Sequence, residues 1–306
     1  RELTVAANNS ALSSSERGII AGEIRGRLNE LFDTAVSRDA QGEFLFAGFR
    51  SDSAPFARDG AGNVSYVGDQ GQRKVQVGDN HFVASGDSGF AVWEAVRTGN
   101  GAFAVNANPA NAGTGVIDPG SVSDSSLLTG DDYTIRFSSD ASTFDVENGV
   151  GTVVLTQAYA DPTTISFDGI VTEIKNNPAG GDTFEVKASQ NQSIFASLNT
   201  LVDALESQQG APLQSALNAA LENIDQNLLN FNRVRTSVGT RLQVLDSQKA
   251  TNDALAAQLT TSLSTLKDTD YAEAASELNR QLLALQAAQQ SFVKIQGLSL
   301  FSLLPG

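Results

Sequence analysis

Between residues 217 and 266, apolar residues recur at spacings that alternate between four and three. The positions are Leu217, Leu221, Ile224, Leu228, Phe231, Arg235, Val238, Leu242, Leu245, Lys249, Asn252, Ala256, Leu259, Leu263 and Leu266. All fifteen keep one register and eleven are large and apolar, which is the heptad pattern of a coiled coil. As a single helix the stretch is about 75 Å long at ~1.5 Å per residue. No compact domain of ordinary size offers a groove of that length. Each fully buried leucine contributes ~1.5–3 kcal/mol, so an unpaired stripe forfeits on the order of 20 kcal/mol. A long helical partner is therefore required. The stripe is read first as intramolecular core, with Arg235, Lys249 and Asn252 setting register at some loss of stability.

One partner is visible. Residues 15–37 carry Ile20, Ile24, Leu28, Leu31 and Ala35 on one helical stripe. Ser13 and Glu16 form the capping-box pair that starts such a helix, each side chain satisfying one orphan backbone N–H. This helix supplies only about 35 Å by the same rise. The rest of the partner is expected upstream of Arg1 or in another subunit. Residues 1–7 read as the tail of an earlier helix, and a chain that opens on Arg1 without methionine is read as a fragment or a processed chain. A third helix, marked by Phe195, Leu198, Val202 and Leu205, stops near the QQGAP of 208–212.

Composition changes between these helices. Residues 42–188 hold 20 of the 27 glycines and 11 of the 16 phenylalanines, but 4 of the 30 leucines. Leucine favours helices, whereas Gly-punctuated aromatic and β-branched runs favour strands. Period-two alternation places strands at Val75 and Val77, at Tyr133, Ile135 and Phe137, at Ile165 and Phe167, and at Phe184 and Val186. The turn clusters DGAGN (59–63), GDQGQ (68–72) and NPAGGD (177–182) separate them. An antiparallel sandwich or barrel-like domain follows, and residues 89–96 form a short helix or turn around Trp93. The expected fold is α+β and multidomain: a long antiparallel helical bundle with an inserted antiparallel β-rich domain. The expected divisions are 1–47, 48–190, 191–266 and 267–306.

Two stretches stand out. In KDTDY (267–271) the heptad register breaks, and Asp268 or Asp270 can cap a new helix. Leu278, Leu282, Leu285, Phe292 and Ile295 then form its stripe, and Leu298, Leu300, Phe301, Leu303 and Leu304 follow in an apolar tail. A terminal apolar segment with no partner in view marks assembly. QGEFLFAGFR (41–50) clusters Phe44, Phe46 and Phe49 where helix gives way to strand. These three are expected to form the joint between the bundle and the β domain, capping one or opening the other. Glu43 and Arg50 flank too short an apolar run for a membrane anchor.

Little in the chain points to catalysis. Net charge is −15, and nucleic-acid binding needs clustered Lys and Arg. There is no cysteine, which removes disulfides, thiol nucleophiles and thiolate metal sites. No run approaches the ~18 apolar residues of a transmembrane helix. His81 is the one histidine and is read as structural or surface, since a triad or His-rich metal site needs partners. DGAGN lacks the acid order and distal Glu of a calcium loop, so it is a hairpin turn. Asp131 and Asp132 are adjacent and belong to the turn before residues 133–137. No enzyme activity, cofactor, metal, nucleic acid or membrane is expected.

Three phrases carry a family resemblance. NNSALSSSERGIIAGEIRGRLNELFDTAVSRDAQGEFLFAGFRSDSAPF (8–56) resembles the hook-associated protein 3 family, the hook–filament junction proteins of bacterial flagella. There a helix ends in a small-residue turn, then FAG, then Thr/Ser-x-Pro-Phe. Here these are residues 39–42, then Phe46, Ala47 and Gly48, then Ser53, Ala54, Pro55 and Phe56. YVGDQGQRKVQVGDN (66–80) resembles the family's strand–GD–R–strand segment. LKDTDYAEAASELNRQLLALQAAQQSFVKIQGLSLFSLL (266–304) resembles the terminus shared by flagellins and their junction relatives. Members open with an N-terminal helix that pairs with the C-terminal one, and by the resemblance the residues here are expected to start after it.

The resemblance implies a structural protein without catalysis, exported by the flagellar type III apparatus to the outside of the cell. It implies a layer of copies in a ring between the first hook-associated protein and flagellin, and an export chaperone on the C-terminal helix. The terminal helices would form the inner tube, the heptad bundle the next shell, and the β domain would project outward. Two alternatives stand beside it. A flagellin filament subunit would usually carry a polar Asn-rich phrase with Gly-x-x-Leu-Leu in place of QGEFLFAGF. A secreted adhesin or glycan-binding module on a coiled-coil stalk would use Trp93, Tyr66 and Phe82 as an exposed sugar-stacking face.

Overall fold

The computed structural model describes residues 1–9, 11–268 and 270–297. By contact the chain forms two units, Arg1–Leu245 and Asp246–Gly306. In the first unit, helices α1 (Glu2–Ala7), α2 (Ser14–Ala35), α3 (Ile194–Ser207) and the start of α4 (Gly210–Lys267) form a bundle. Helix α2 opens on the expected capping box: Glu16 N–H donates to Ser13 Oγ at 3.3 Å, and Ser13 N–H donates to the Glu16 carboxylate at 2.8 Å. The Ser13 N–H, and then the Ser13 hydroxyl, donate to the Glu16 carboxylate and hold it below its usual range. Helix α3 is capped by Ser193, whose Oγ accepts from Phe195 N–H at 3.1 Å.

Two cores run along the bundle. At one end Ala7, Ala21 and Ile24 meet Leu201, Leu205, Leu213 and Leu217. At the other, Leu28 and Ala35 meet Ile194 and Phe195, with Phe231 and Val234 packed alongside. The late half of α2 thus lies on the start of α3, and the start of α4 on the end of α3. Helix α3 therefore runs antiparallel to both neighbours. Arg25 of α2 and Glu206 of α3 close the outside of this contact at 2.5 Å.

The heptad stripe enters the core only in part. Leu213, Leu217 and Ala220 are buried, as are Asn227 and Asn230, while Leu228 is 46% exposed. The buried face lies one position off the heptad seam there, where Asn230 bonds to the backbone carbonyls of residues 91 and 92.

Strands follow α2. β1 (Phe56–Arg58) and β2 (Val64–Tyr66) are the hairpin expected around DGAGN. The Asp59 carboxylate closes it, accepting from Ala61 N–H at 2.9 Å and Asn63 N–H at 2.8 Å. β3 (Lys74–Gly78) and β4 (His81–Ala84) form a second hairpin. The alternation at Val75 and Val77 predicts a half-buried strand, but Val75 and Phe82 are exposed, because this two-stranded ribbon pairs with no larger sheet. A π-helical turn, Phe90–Glu94, carries Trp93. β5 (Val96–Arg97) follows it and marks the way into the sandwich.

The sandwich contains β6 (Phe103–Ala107), β7 (Val116–Ile117), β8 (Ser121–Val122), β9 (Tyr133–Phe137), β10 (Thr143–Asn148), β11 (Val153–Ala158), β12 (Thr163–Phe167), β13 (Ile170–Lys175) and β14 (Thr183–Ala188). One sheet has the order β11-β10-β9-β14-β6; the other is β12-β13-β7, with β8 beside β13. Every pairing is antiparallel. Inward residues of both sheets share one core, in which Ile135, Phe144, Val146, Phe184 and Val186 face Ile117, Ile165 and Ile174. The chain leaves through β15 (Asn191–Gln192), which pairs β5, so entry and exit form one ribbon beside the bundle.

The second unit holds the remainder of α4 and helix α5 (Tyr271–Gly297). Asp270 caps α5, its carboxylate accepting from Ala272 N–H at 2.9 Å and Glu273 N–H at 3.1 Å. No described residue of α5 is buried.

Candidate functional site

The candidate joint is built on the backbone of residues 38–51. Asp39 makes an Asx turn, accepting from Gln41 N–H at 2.9 Å and Glu43 N–H at 3.0 Å. The chain then doubles back, so that Arg38 and Phe44 form an antiparallel bridge and the Arg38 guanidinium lies 3.9 Å from the Phe44 ring centre. Phe44 is buried. Phe46 meets Trp93 edge-on at 5.6 Å, and its carbonyl accepts from Gly89 N–H at 2.7 Å. Phe49 is 64% exposed, its ring lying over Gly71, where any Cβ would come within 2.1 Å of it. None of the three belongs to a sheet that opens the β part; β1 starts at Phe56.

Asp69 holds the turn in place. Its carboxylate accepts from Phe49 N–H at 2.9 Å, Arg50 N–H at 3.1 Å and Gly71 N–H at 2.6 Å. These donors, Phe49 N–H foremost, hold the Asp69 carboxyl below its usual range. Gly48, between Phe46 and Phe49, sits at φ +73°, and a Cβ there would lie 2.4 Å from the Asp69 carbonyl oxygen. Only glycine fits that approach. In sequence Asp69 is one more acid in GDQGQ; its role depends on backbone twenty residues away.

Helix α4 grips the same region with polar side chains. Asn223 accepts from Gly99 N–H at 2.8 Å. Asn230 donates to the carbonyls of Ala91 (3.2 Å) and Val92 (2.8 Å), satisfying the π turn from outside. Arg241 pairs with Asp87 where both side chains are largely buried. Heptad counting passes over all three, since each lies beside the stripe rather than on it.

The aromatic centre of the joint is Phe195, fully buried, with Trp93 stacked at 5.8 Å and Phe56 edge-on at 5.5 Å. Trp93 is itself buried and Tyr66 packs against the same core, while Phe82 lies on the β3–β4 ribbon. These three do not make one exposed stacking face, which removes the platform of the adhesin alternative. His81 is exposed on β4. Among the described residues, no cluster of three or more His, Cys, Asp or Glu is arranged for a metal ion. No described helix is long and apolar enough to cross a membrane.

The other candidate surface is apolar and uncovered. On α5, Leu278 is 60% exposed, Leu282 48%, Leu285 55%, Phe292 62% and Ile295 68%. Leu298, Leu300, Phe301, Leu303 and Leu304 lie outside the described residues. Leu255, Leu259, Leu263 and Leu266 of α4 are exposed as well.

Known proteins resemble the chain along almost its whole length. Residues 103–216 match the D3 domain of flagellar hook-associated protein 1, and residues 221–304 match the bacterial flagellin C-terminal helical region. The flagellar hook-associated protein 3 of Escherichia coli K12 is 25% identical over 99% of this chain and 71% of its own length. FlgL of Xanthomonas campestris is 33% identical, with a TM-score of 0.78 over 86% of this chain and 87% of that one. The hook-associated protein 3 of Legionella pneumophila is 27% identical, with a TM-score of 0.82 over 88% and 87%. A bundle with an inserted antiparallel sandwich, a flagellin-type terminus and these relatives agree: the chain belongs to the flagellar hook-associated protein 3 (FlgL) family, structural components of the bacterial flagellum.

Proposed function

We propose that the chain is a non-enzymatic axial subunit outside the cell, joining the hook, through the first hook-associated protein, to the flagellin filament. Copies form a ring, and each copy is held by packing of its terminal helix. The observation that carries this reading is α5: twenty-seven residues with none buried, yet with five large apolar side chains on one stripe. A helix gains its stability chiefly by burying such a face, so α5 is complete only against neighbours. Its stripe, Leu278, Leu282, Leu285, Phe292 and Ile295, together with Leu298, Leu300, Phe301, Leu303 and Leu304, is the assembly surface. An export chaperone covers the same surface before assembly. Phe44 and Phe46, with Phe49 at the rim, orient the β part (48–190) on the bundle (1–47 and 191–266), and 267–306 is the assembly segment.

The test is a chain lacking residues 278–304, expressed in a motile strain without its own copy. The first unit should fold as before, and cells should release flagellin into the medium without attached filaments. Normal attached filaments would refute the reading.

A further inference from the structure

Six of the thirteen arginines of the first unit, Arg1, Arg25, Arg27, Arg73, Arg136 and Arg241, pair with acids of the chain. Arg97 and Arg233 are two of the seven without a salt bridge among the described residues, and they share one cleft. It is open, of about 270 Å³, and lined also by Ala95, Val96, Gln226 and Leu229, between α4 and the ribbon through which the chain enters and leaves the sandwich. Each guanidinium is oriented by neutral groups. Arg97 Nε donates to the Gly101 carbonyl at 3.4 Å, and Arg233 donates to Asn230 Oδ1 at 2.6 Å. Neither bond neutralises charge. Leu229, 61% exposed, adds an apolar rim.

The sandwich carries the opposite charge. Residues 103–190 contain twelve Asp and Glu but only Arg136, Lys175 and Lys187 as cations, and each of those cations already pairs with a glutamate of the same chain. Asp124, Asp131 and Asp132 at one end of its strands, and Asp140 and Asp161 at the other, remain exposed. A chain of net charge −15 repels its copies, so a ring needs places where cations of one copy meet acids of the next.

We infer that the Arg97–Arg233 cleft is a docking site for the acidic β-sandwich of a second copy, through one of its aspartate-bearing ends. Two guanidiniums with donors free suit carboxylates, and Leu229 supplies contact area beside them. The inference rests on the ring reading above. It also implies salt sensitivity, because exposed pairs are screened within about 8 Å at physiological ionic strength.

The test places a benzophenone photo-cross-linker at position 229, in place of Leu229, in the full chain assembled on flagella of a strain lacking its own copy. Irradiation should yield a cross-linked dimer whose second peptide falls within residues 103–190. A cross-link to another flagellar protein, to another part of a second copy, or to nothing overturns the inference. In the same background, Arg97→Glu with Arg233→Glu should lower dimer yield about tenfold, the order expected for two exposed ion pairs, and Arg97→Lys with Arg233→Lys should keep most of it. Equal yields from the Glu and Lys variants also overturn it. Attachment separates the two readings. An unsubstituted chain that supports no attached filaments counts against the junction function, whereas attached filaments without the 103–190 cross-link count against this cleft alone.

Discussion

Replacing Leu282 and Leu285 with glutamine separates folding from assembly. Glutamine keeps nearly the helix propensity of leucine, so α5 should persist. The two leucines are 48% and 55% exposed in the unassembled chain, so about half of each remains to be buried by a neighbour. At ~1.5–3 kcal/mol for a whole leucine, the pair should contribute roughly 1.5–3 kcal/mol to each packing event. With ~1.4 kcal/mol per tenfold, the variant should dock roughly 10- to 150-fold more weakly. Its unfolding free energy in urea should stay within about 0.5 kcal/mol of the parent, as for other surface changes. The assay counts attached filaments by electron microscopy and measures the secreted chain in the medium, so that a failure of export is not scored as a failure of assembly. A denaturation shift well above ~1 kcal/mol would mean that the stripe is already buried within the chain. Unchanged attachment with unchanged secretion would mean that the stripe is not the assembly face.

Other outcomes test the joint. Phe195→Ala removes a fully buried ring between Trp93 and Phe56 and should cost ~3–5 kcal/mol, read as a lower urea midpoint; a loss under ~1 kcal/mol would show that the aromatic core collapses around the gap. Gly48→Ala should destabilise by more than the ~1–2 kcal/mol of a left-handed backbone, because its Cβ meets Asp69, whereas Gly42→Ala at φ +85° has open space and should carry the backbone term alone. Equal losses for the two would count against the packing argument. The Asp69 carboxyl sits below its ordinary range, so its contribution is complete above the unfolded-state pKa of about 4 and is lost as pH falls through the lower folded value. Asp69→Asn should therefore melt lower than the parent at pH 7, and the gap should narrow toward pH 3; a gap independent of pH would remove the charge from the explanation.

Much of the chain's local structure is written in short stretches. Ser13 and Glu16 announce the start of α2, and the alternation at Tyr133, Ile135 and Phe137 announces β9, because caps and periods of 3.6 or 2 depend on neighbours in sequence. DGAGN announces its hairpin for the same reason. The phrase FLFAGF and the 266–304 terminus carry the family in their wording. They do not tell which residues hold the joint.

What the sequence by itself determined is therefore the kind of each element and the faces that need partners: three helical stripes, a glycine-rich β insertion and an apolar terminus. Tertiary structure alone decided which partners those faces met. It set β14 between β9 and β6, turned Asn227 inward and Leu228 outward on α4, and made Asp69, Asn223 and Asn230 the clasps of the joint. The physical reason is that a hydrophobic stripe is non-directional and accepts any apolar surface of the right length, while a hydrogen bond selects its partner only once folding has brought a particular donor within about 3 Å.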